Sequence, residues 1–100
     1  MNSETKVIEK RDNNNQLIYR IFKSKSNDSF HHLVEPSLNI WHSNSQKMIE
    51  AYYNNGKLNN NNGPAYIKWN EEGEIINYEF YLNGKKLEQP KWKNTKSARK

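Results

Sequence analysis

The sequence predicts an all-β protein, an antiparallel β-meander of about six strands built from three degenerate repeats of about 28 residues. Three observations carry this reading. Segments rich in β-branched and aromatic residues recur along the chain, Asn- and Gly-rich turn signals separate them, and the chain matches itself at a fixed shift.

The strands read as 6–11, 16–23, 37–41, 47–54, 65–69 and 74–82. Asparagine occurs 17 times, with runs at Asn13–Asn15 and Asn59–Asn62, and Asn tolerates the left-handed backbone angles of tight turns. Pro64 to Trp69 and Glu74 to Leu82 form a hairpin around Asn70–Gly73, and Asn83-Gly84 closes a second, tighter turn. Ile76, Tyr78, Phe80 and Leu82 fall on one face of the returning strand, while Ile75 and Tyr81 fall on the other. A short helix is expected over residues 28–35 with Asp28 as its cap. Ser45 offers a second cap, before Gln46 to Tyr52, but the repeat argues against a helix there.

At a shift of 28 residues, Pro36 meets Pro64, Trp41 meets Trp69, Tyr53 meets Tyr81, and Asn55-Gly56-Lys57 meets Asn83-Gly84-Lys85. The same shift sets Asn27-Asp28 against Asn55-Gly56, which implies an upstream copy; its strand 16–23 needs about two extra residues to align. In such an array each unit buries its apolar side only against its neighbours.

Composition bounds the rest. One hundred residues make one small domain, and Leu, Ile, Val and Phe supply only 19 of them. Six Tyr and three Trp add the missing buriable area, so a thin, aromatic-rich fold is expected. No apolar run approaches the roughly 20 residues needed to span a bilayer. The opening Met-Asn-Ser-Glu-Thr-Lys is too polar for a signal peptide, so a soluble, cytoplasmic chain without a membrane partner is expected. The absence of cysteine excludes disulfides, thiolate zinc sites and cysteine nucleophiles. The net charge of +5 is unevenly placed: residues 1–87 hold 11 Lys/Arg against 10 Asp/Glu, and residues 88–100 hold five against one. The expected organisation is a repeat domain over 1–87 and a basic tail over 88–100.

Asn55-Gly56-Lys57-Leu58, Gly63-Pro64-Ala65, Tyr66-Ile67-Lys68-Trp69 and Phe80-Tyr81-Leu82-Asn83-Gly84-Lys85 resemble the MORN-like repeats of phage and giant-virus proteins. They are also similar to the repeats of the YwqK-type antitoxin family. The resemblance covers about residues 27–87. It implies a twisted antiparallel meander that serves as a binding surface, with no catalytic activity following from the repeat. It also implies a phage or large-virus origin, hence the cytoplasm of the host cell. The His-Arg of the usual unit is His31-His32 in one copy and Asn59-Asn60 in the other, which leaves any role of that Arg without a counterpart.

Catalysis finds little support. Glu71, Glu72, Glu74 and Glu79 could pair carboxylates, but three of them surround a turn, where solvated charge is the ordinary explanation. His31, His32 and Glu35 do not have a recognised metal-ligand spacing. No phosphate-binding loop or nucleophile elbow occurs. The chain is therefore expected to be no enzyme and to need neither metal nor cofactor. Trp41, Tyr53, Trp69 and Tyr81 are expected to pack as a ladder between units, leaving Tyr52, Tyr66 and Tyr78 as the exposed anchors for a protein partner. The alternative partner is nucleic acid: Lys91, Lys93, Lys96, Arg99 and Lys100 neutralise phosphates while Trp92 stacks on a base. The plainer role for that tail is solubility, with Trp92 packed over the last strand as a cap.

Overall fold

The computed structural model describes residues 5–88, and among them every regular element is a strand. In chain order these are β1 (Thr5–Arg11), β2 (Leu17–Ser24), β3 (Leu38–Trp41), β4 (Lys47–Ala51), β5 (Tyr53–Asn54), β6 (Lys57–Leu58), β7 (Tyr66–Trp69), β8 (Ile75–Glu79), β9 (Tyr81–Leu82) and β10 (Lys85–Lys86). Six form one antiparallel sheet in the order β1-β2-β3-β4-β7-β8. The pairs β5–β6 and β9–β10 are separate two-stranded hairpins. The all-β meander is thus the observed fold.

Each repeat is a long hairpin followed by a tight turn. The long turns Asp12–Gln16, His42–Gln46 and Asn70–Glu74 close alike: His42 N–H donates to Gln46 O at 2.8 Å and Ser45 N–H to His42 O at 3.0 Å, with matching bonds in the other two. This is a type I turn whose fourth residue enters the left-handed region as a bulge, at Asn15 (φ 64), Ser45 (φ 74) and Gly73 (φ 89). Side-chain oxygens hold the turns rigid. Asp12 Oδ1 accepts the N–H of Asn14 and Gln16, and Asn70 Oδ1 accepts those of Glu72 and Glu74. Ser45 is therefore a turn residue rather than a helix cap. Just past each turn the returning strand carries one unpaired residue, Ile18, Met48 or Ile76, a second bulge that increases the local twist.

The expected helix over 28–35 does not form. Asp28 sits at φ +63, the station of Gly56 (φ +86) and Gly84 (φ +82), so the chain turns there. Phe30 then bridges Lys23. Beyond it, His32 Nδ1 accepts the N–H of Val34 and Glu35 at 3.1 and 2.9 Å, which supplies locally the acceptor that a helix would have provided. The expected strands 47–54 and 74–82 are each broken once. Tyr52 N–H still bonds Ala65 O across the main sheet at 2.7 Å, whereas Tyr53 pairs with Leu58 in the tight hairpin. The chain changes partner at Tyr52, and at Phe80 in the next copy.

The tight turns stack in a file. Gly56 N–H donates to Phe30 O and Gly84 N–H to Leu58 O, both at 2.8 Å. Equivalent residues lie 30 apart up to Phe22 and Tyr52, and 28 apart from Asp28 and Gly56 onward, so the first copy holds two extra residues before its tight turn.

The packed interior is small. Ala51, Ala65 and Ile67 are its buried apolar residues, joined by the polar Ser24, His31, Ser37 and Asn39. The polar members are satisfied. Ser37 Oγ donates to Tyr53 O at 3.1 Å and accepts Tyr53 N–H at 3.2 Å, and Asn39 Nδ2 donates to Pro36 O at 3.0 Å. Because full burial of an aliphatic side chain stabilises by only about 1.5–3 kcal/mol, this fold depends heavily on its ladders and turn chemistry. The expected aromatic ladder divides in two. Phe30 meets Tyr53 edge to face at 5.1 Å, and Tyr66 and Tyr81 lie close enough to raise the Tyr53 phenol further. Trp41 and Trp69 stand at the far end of the sheet beside the long turns, where Lys47 Nζ lies 4.9 Å above the Trp41 ring.

Candidate interaction surface

Strand register sorts the side chains onto two faces, because successive residues of a strand alternate sides. One row runs Glu9–Arg20–Asn39–Glu50–Ile67–Tyr78 across all six strands. The neighbouring rows, on the opposite face, run Ile8–Ile21–Leu38–Ala51–Tyr66–Glu79 and Lys10–Tyr19–Ile40–Ile49–Lys68–Asn77.

The two faces differ in charge. On the first, charges neutralise one another: Arg20 Nε lies 2.6 Å from Glu9 Oε2, and Lys47 Nζ lies 2.7 Å from Glu50. The Arg20 hydrogen bond holds the Glu9 carboxyl below its ordinary pKa. The second face is apolar at its centre and cationic at its rim. Tyr19, Ile40 and Ile49 form an unbroken run between Lys10 and Lys68, alongside Ile21, Leu38 and Ala51. Ala51 is buried, Ile8 is 39 % exposed, and Tyr19, Ile21, Leu38, Ile40 and Ile49 are half-buried. Neither Lys10 nor Lys68 has a carboxylate in ion-pair range among the described residues. Lys6 and Lys23 share Asp28 at 2.8 and 3.7 Å, and the Lys6 hydrogen bond lowers the Asp28 pKa. At strand spacings of about 4.8 Å, Lys10 and Lys68 stand roughly 19 Å apart. Two cations flanking an apolar floor can receive a partner that is apolar between carboxylates.

The three tyrosines singled out from sequence are all half-buried, and the sheet divides them. Tyr66 lies on the cationic face, opposite Ala51 and Glu79. Tyr78 lies on the other, opposite Ile67. Tyr52 lines a cleft of about 220 Å³ between the loops 31–36 and 59–64, with His32, Leu33, Val34 and Asn59 to Asn62. Burial, and then the Glu50 charge, raise its phenol pKa. At the cleft mouth Leu33 and Val34 are 77 % and 78 % exposed, held outward by the two bonds to His32 Nδ1. Lys91, Trp92, Lys93, Lys96, Arg99 and Lys100 lie outside the described residues.

The Nδ1 lone pairs of both loop histidines are engaged by backbone N–H groups, His31 with Asn55 at 3.0 Å and His32 as above. Among the described residues no group of three His, Asp or Glu side chains could hold a metal ion. Glu71, Glu72 and Glu74 are exposed around their turn, and Glu79 accepts the Tyr81 hydroxyl at 3.2 Å and lies 3.8 Å from Lys86. Sequence reasoning missed Lys10, Tyr19, Ile40, Ile49 and Lys68. Their signal was present in the alternation of five separate strands, but only the register, with its bulges, aligns them into one row.

Comparison with protein-family models, with curated proteins and with solved structures finds no match for this chain.

Proposed function

We propose that the protein is a non-catalytic binding module that acts on a protein partner, which it receives on the Tyr19–Ile40–Ile49 face. The observation that carries this reading is an apolar row set between two lysines that have no carboxylate in ion-pair range among the described residues. Aromatic and aliphatic residues at the centre of a patch with a polar rim have the anatomy of a protein interface. A polyanion gains nothing from Ile40 and Ile49, whereas an apolar surface with peripheral carboxylates complements the floor and the rim together. The repeat's resemblance to MORN-like and YwqK-type units favours, within this class, a phage or viral accessory or inhibitor factor, or an antitoxin-like neutraliser.

The test compares capture of a partner from host extract by the native chain and by variants of its two faces. Ile40→Asp with Ile49→Asp, or Lys10→Glu with Lys68→Glu, should remove a partner that the native chain retains. Tyr78→Ala, on the other face, should keep it. A partner lost with Tyr52→Ala and Tyr78→Ala but kept by both double variants would move the site to the opposite face and its cleft.

A further inference from the structure

We infer that the seam between the first two long turns binds a small organic cation, an ammonium or guanidinium group on a short apolar stem. The inference starts from a difference between two equivalent seams. Register sets Tyr19 opposite Ile40 and Ile49 opposite Lys68, so the turns Asp12–Gln16, His42–Gln46 and Asn70–Glu74 stand side by side at one end of the sheet. Asp12, His42 and Asn70 hold the same station in them. Side chains close the seam between the second and third turns: His42 Nε2 meets Trp69 O at 3.0 Å, and Asn44 Nδ2 donates to Glu71 O at 3.0 Å. A carbonyl only accepts, so His42 Nε2 carries the proton. Among the described residues no side-chain hydrogen bond joins the first turn to the second. An ionised carboxylate at Asp12 has no proton to donate to Trp41 O, the counterpart of Trp69 O. That seam stays open as a cleft of about 270 Å³.

The walls of the cleft specify its ligand. Leu17, Ile18 and Trp41 supply apolar surface, and Asp12 is the one carboxylate among the lining residues. Asp12 Oδ1 accepts the N–H of Asn14 and Gln16 at 2.8 and 3.0 Å, which fixes the group in place. Among the described residues no Lys or Arg lies in ion-pair range of it. A fixed, uncompensated carboxylate beside an indole attracts a cation through its charge and through the ring quadrupole. Trp41 already holds one cation over its ring, Lys47 Nζ at 4.9 Å, whose charge Glu50 neutralises at 2.7 Å. In the next seam Lys47 takes the station of Leu17, and its ammonium would repel such a ligand. The volume falls below the roughly 300–1,000 Å³ of drug-sized sites, which limits the occupant to a group of side-chain size. Trp41 follows Ile40 on β3 and faces the other side of the sheet. The site is therefore separate from the Tyr19–Ile40–Ile49 face and does not depend on it.

The test is an NMR titration of the full chain, read from its amide and indole shifts. Butylammonium and butylguanidinium are the probes, with butan-1-ol as the neutral control. Both cations should shift the Asp12 and Leu17 amides and the Trp41 indole together, and butan-1-ol should bind at least about tenfold more weakly. Asp12→Asn removes the charge and keeps the turn, because Asn70 Oδ1 accepts the equivalent pair of N–H groups in the third copy. It should weaken cation binding at least about tenfold. Glu71→Gln, exposed at the third turn, should leave it unchanged. Capped amino acids, N-acetyl-lysinamide and N-acetyl-argininamide, separate the two sources of such a cation. Tighter binding of these than of the alkyl cations would assign the site to a peptide side chain, and the reverse to a free cation. Four results would overturn the inference: no shift with any cation, equal binding of butan-1-ol, an Asp12→Asn chain that binds as tightly as the native one, or shifts centred on Glu71 and Glu72.

Discussion

His31 and Asn59 do the same work in successive repeats. His31 Nδ1 accepts the N–H of Asn55 at 3.0 Å, and Asn59 Oδ1 accepts the N–H of Asn83 at 2.8 Å, each fixing the first residue of the tight turn that follows. The residues that follow them, His32 and Asn60, each organise their own loop: His32 accepts from Val34 and Glu35, and Asn60 accepts from Asn62 while donating to Pro64 O. The exchange of histidine for asparagine thus preserves an acceptor.

His31→Asn should accordingly be tolerated, while His31→Leu should be costly. The leucine leaves the Asn55 N–H without its acceptor; because Asn55 is itself exposed, water can take part of that place, and the loss is that of an ordinary net hydrogen bond, about 0.5–1.5 kcal/mol. Urea unfolding of both variants checks this. Equal destabilisation would mean that the imidazole acts by packing rather than as an acceptor.

Ser45→Gly should stabilise the fold. Ser45 holds φ +74 where the third copy has Gly73, and its side chain is exposed. Relief of a left-handed non-glycine residue is worth about 1–2 kcal/mol, less roughly 0.5–1 for the greater freedom of glycine in the unfolded chain. The net gain of about 0.5–1 kcal/mol should raise Tm by several degrees. Gly56→Ala should do the reverse, because its Cβ would lie 3.3 Å from Ser29 Cβ at φ +86.

These turns show how much of the fold was legible in the sequence. Asn55-Gly56 and Asn83-Gly84 announced themselves because turn chemistry is local, and the shift of 28 aligned two copies through Pro36, Trp41 and Tyr53. Asp28 misled because the residue types that cap helices also tolerate the left-handed region. Only the stacking of its turn under Gly56 decides between the two uses. The interaction face was hidden for a different reason. Ile40 and Lys68 share a row only after the bulge at Met48 is counted, and such a bulge changes which residue faces which side.

Stability should decline above about pH 10. Burial first, then the neighbouring Tyr66 and Tyr81, raise Tyr53 above its ordinary 10.0; desolvation first, then Glu79, raise Tyr81; and Tyr52 is raised as described. The folded state therefore favours the neutral phenols. Their contribution is intact below the unfolded value and is lost as pH rises from there through the folded values. The urea midpoint should be lower at about pH 11 than at about pH 9, and an ultraviolet titration should find a group of tyrosines ionising late. Ionisation of all six together near pH 10 in the folded protein would refute it.

Nucleic-acid binding, where present, should reside in residues 88–100. The repeat domain is nearly charge-balanced, and the cationic face breaks its lysines with Ile40 and Ile49, so no continuous phosphate track exists on it. The tail offers five cations. Lys91, Lys93, Lys96, Arg99 and Lys100 are the cations that could meet phosphates there. At about 0.9 per phosphate on duplex DNA, the slope of log K against log salt should be no steeper than about −4.5, and nearer −2.7 when only the last three make contact. A chain ending at Glu88 should not bind duplex DNA at about 50 mM salt, where such contacts are strongest. Its Tm must be measured beside its affinity, because a loss of stability on truncation would imitate a binding defect. Tight DNA binding by that shortened, folded chain would place the electrostatic site on the sheet and displace the protein-partner reading.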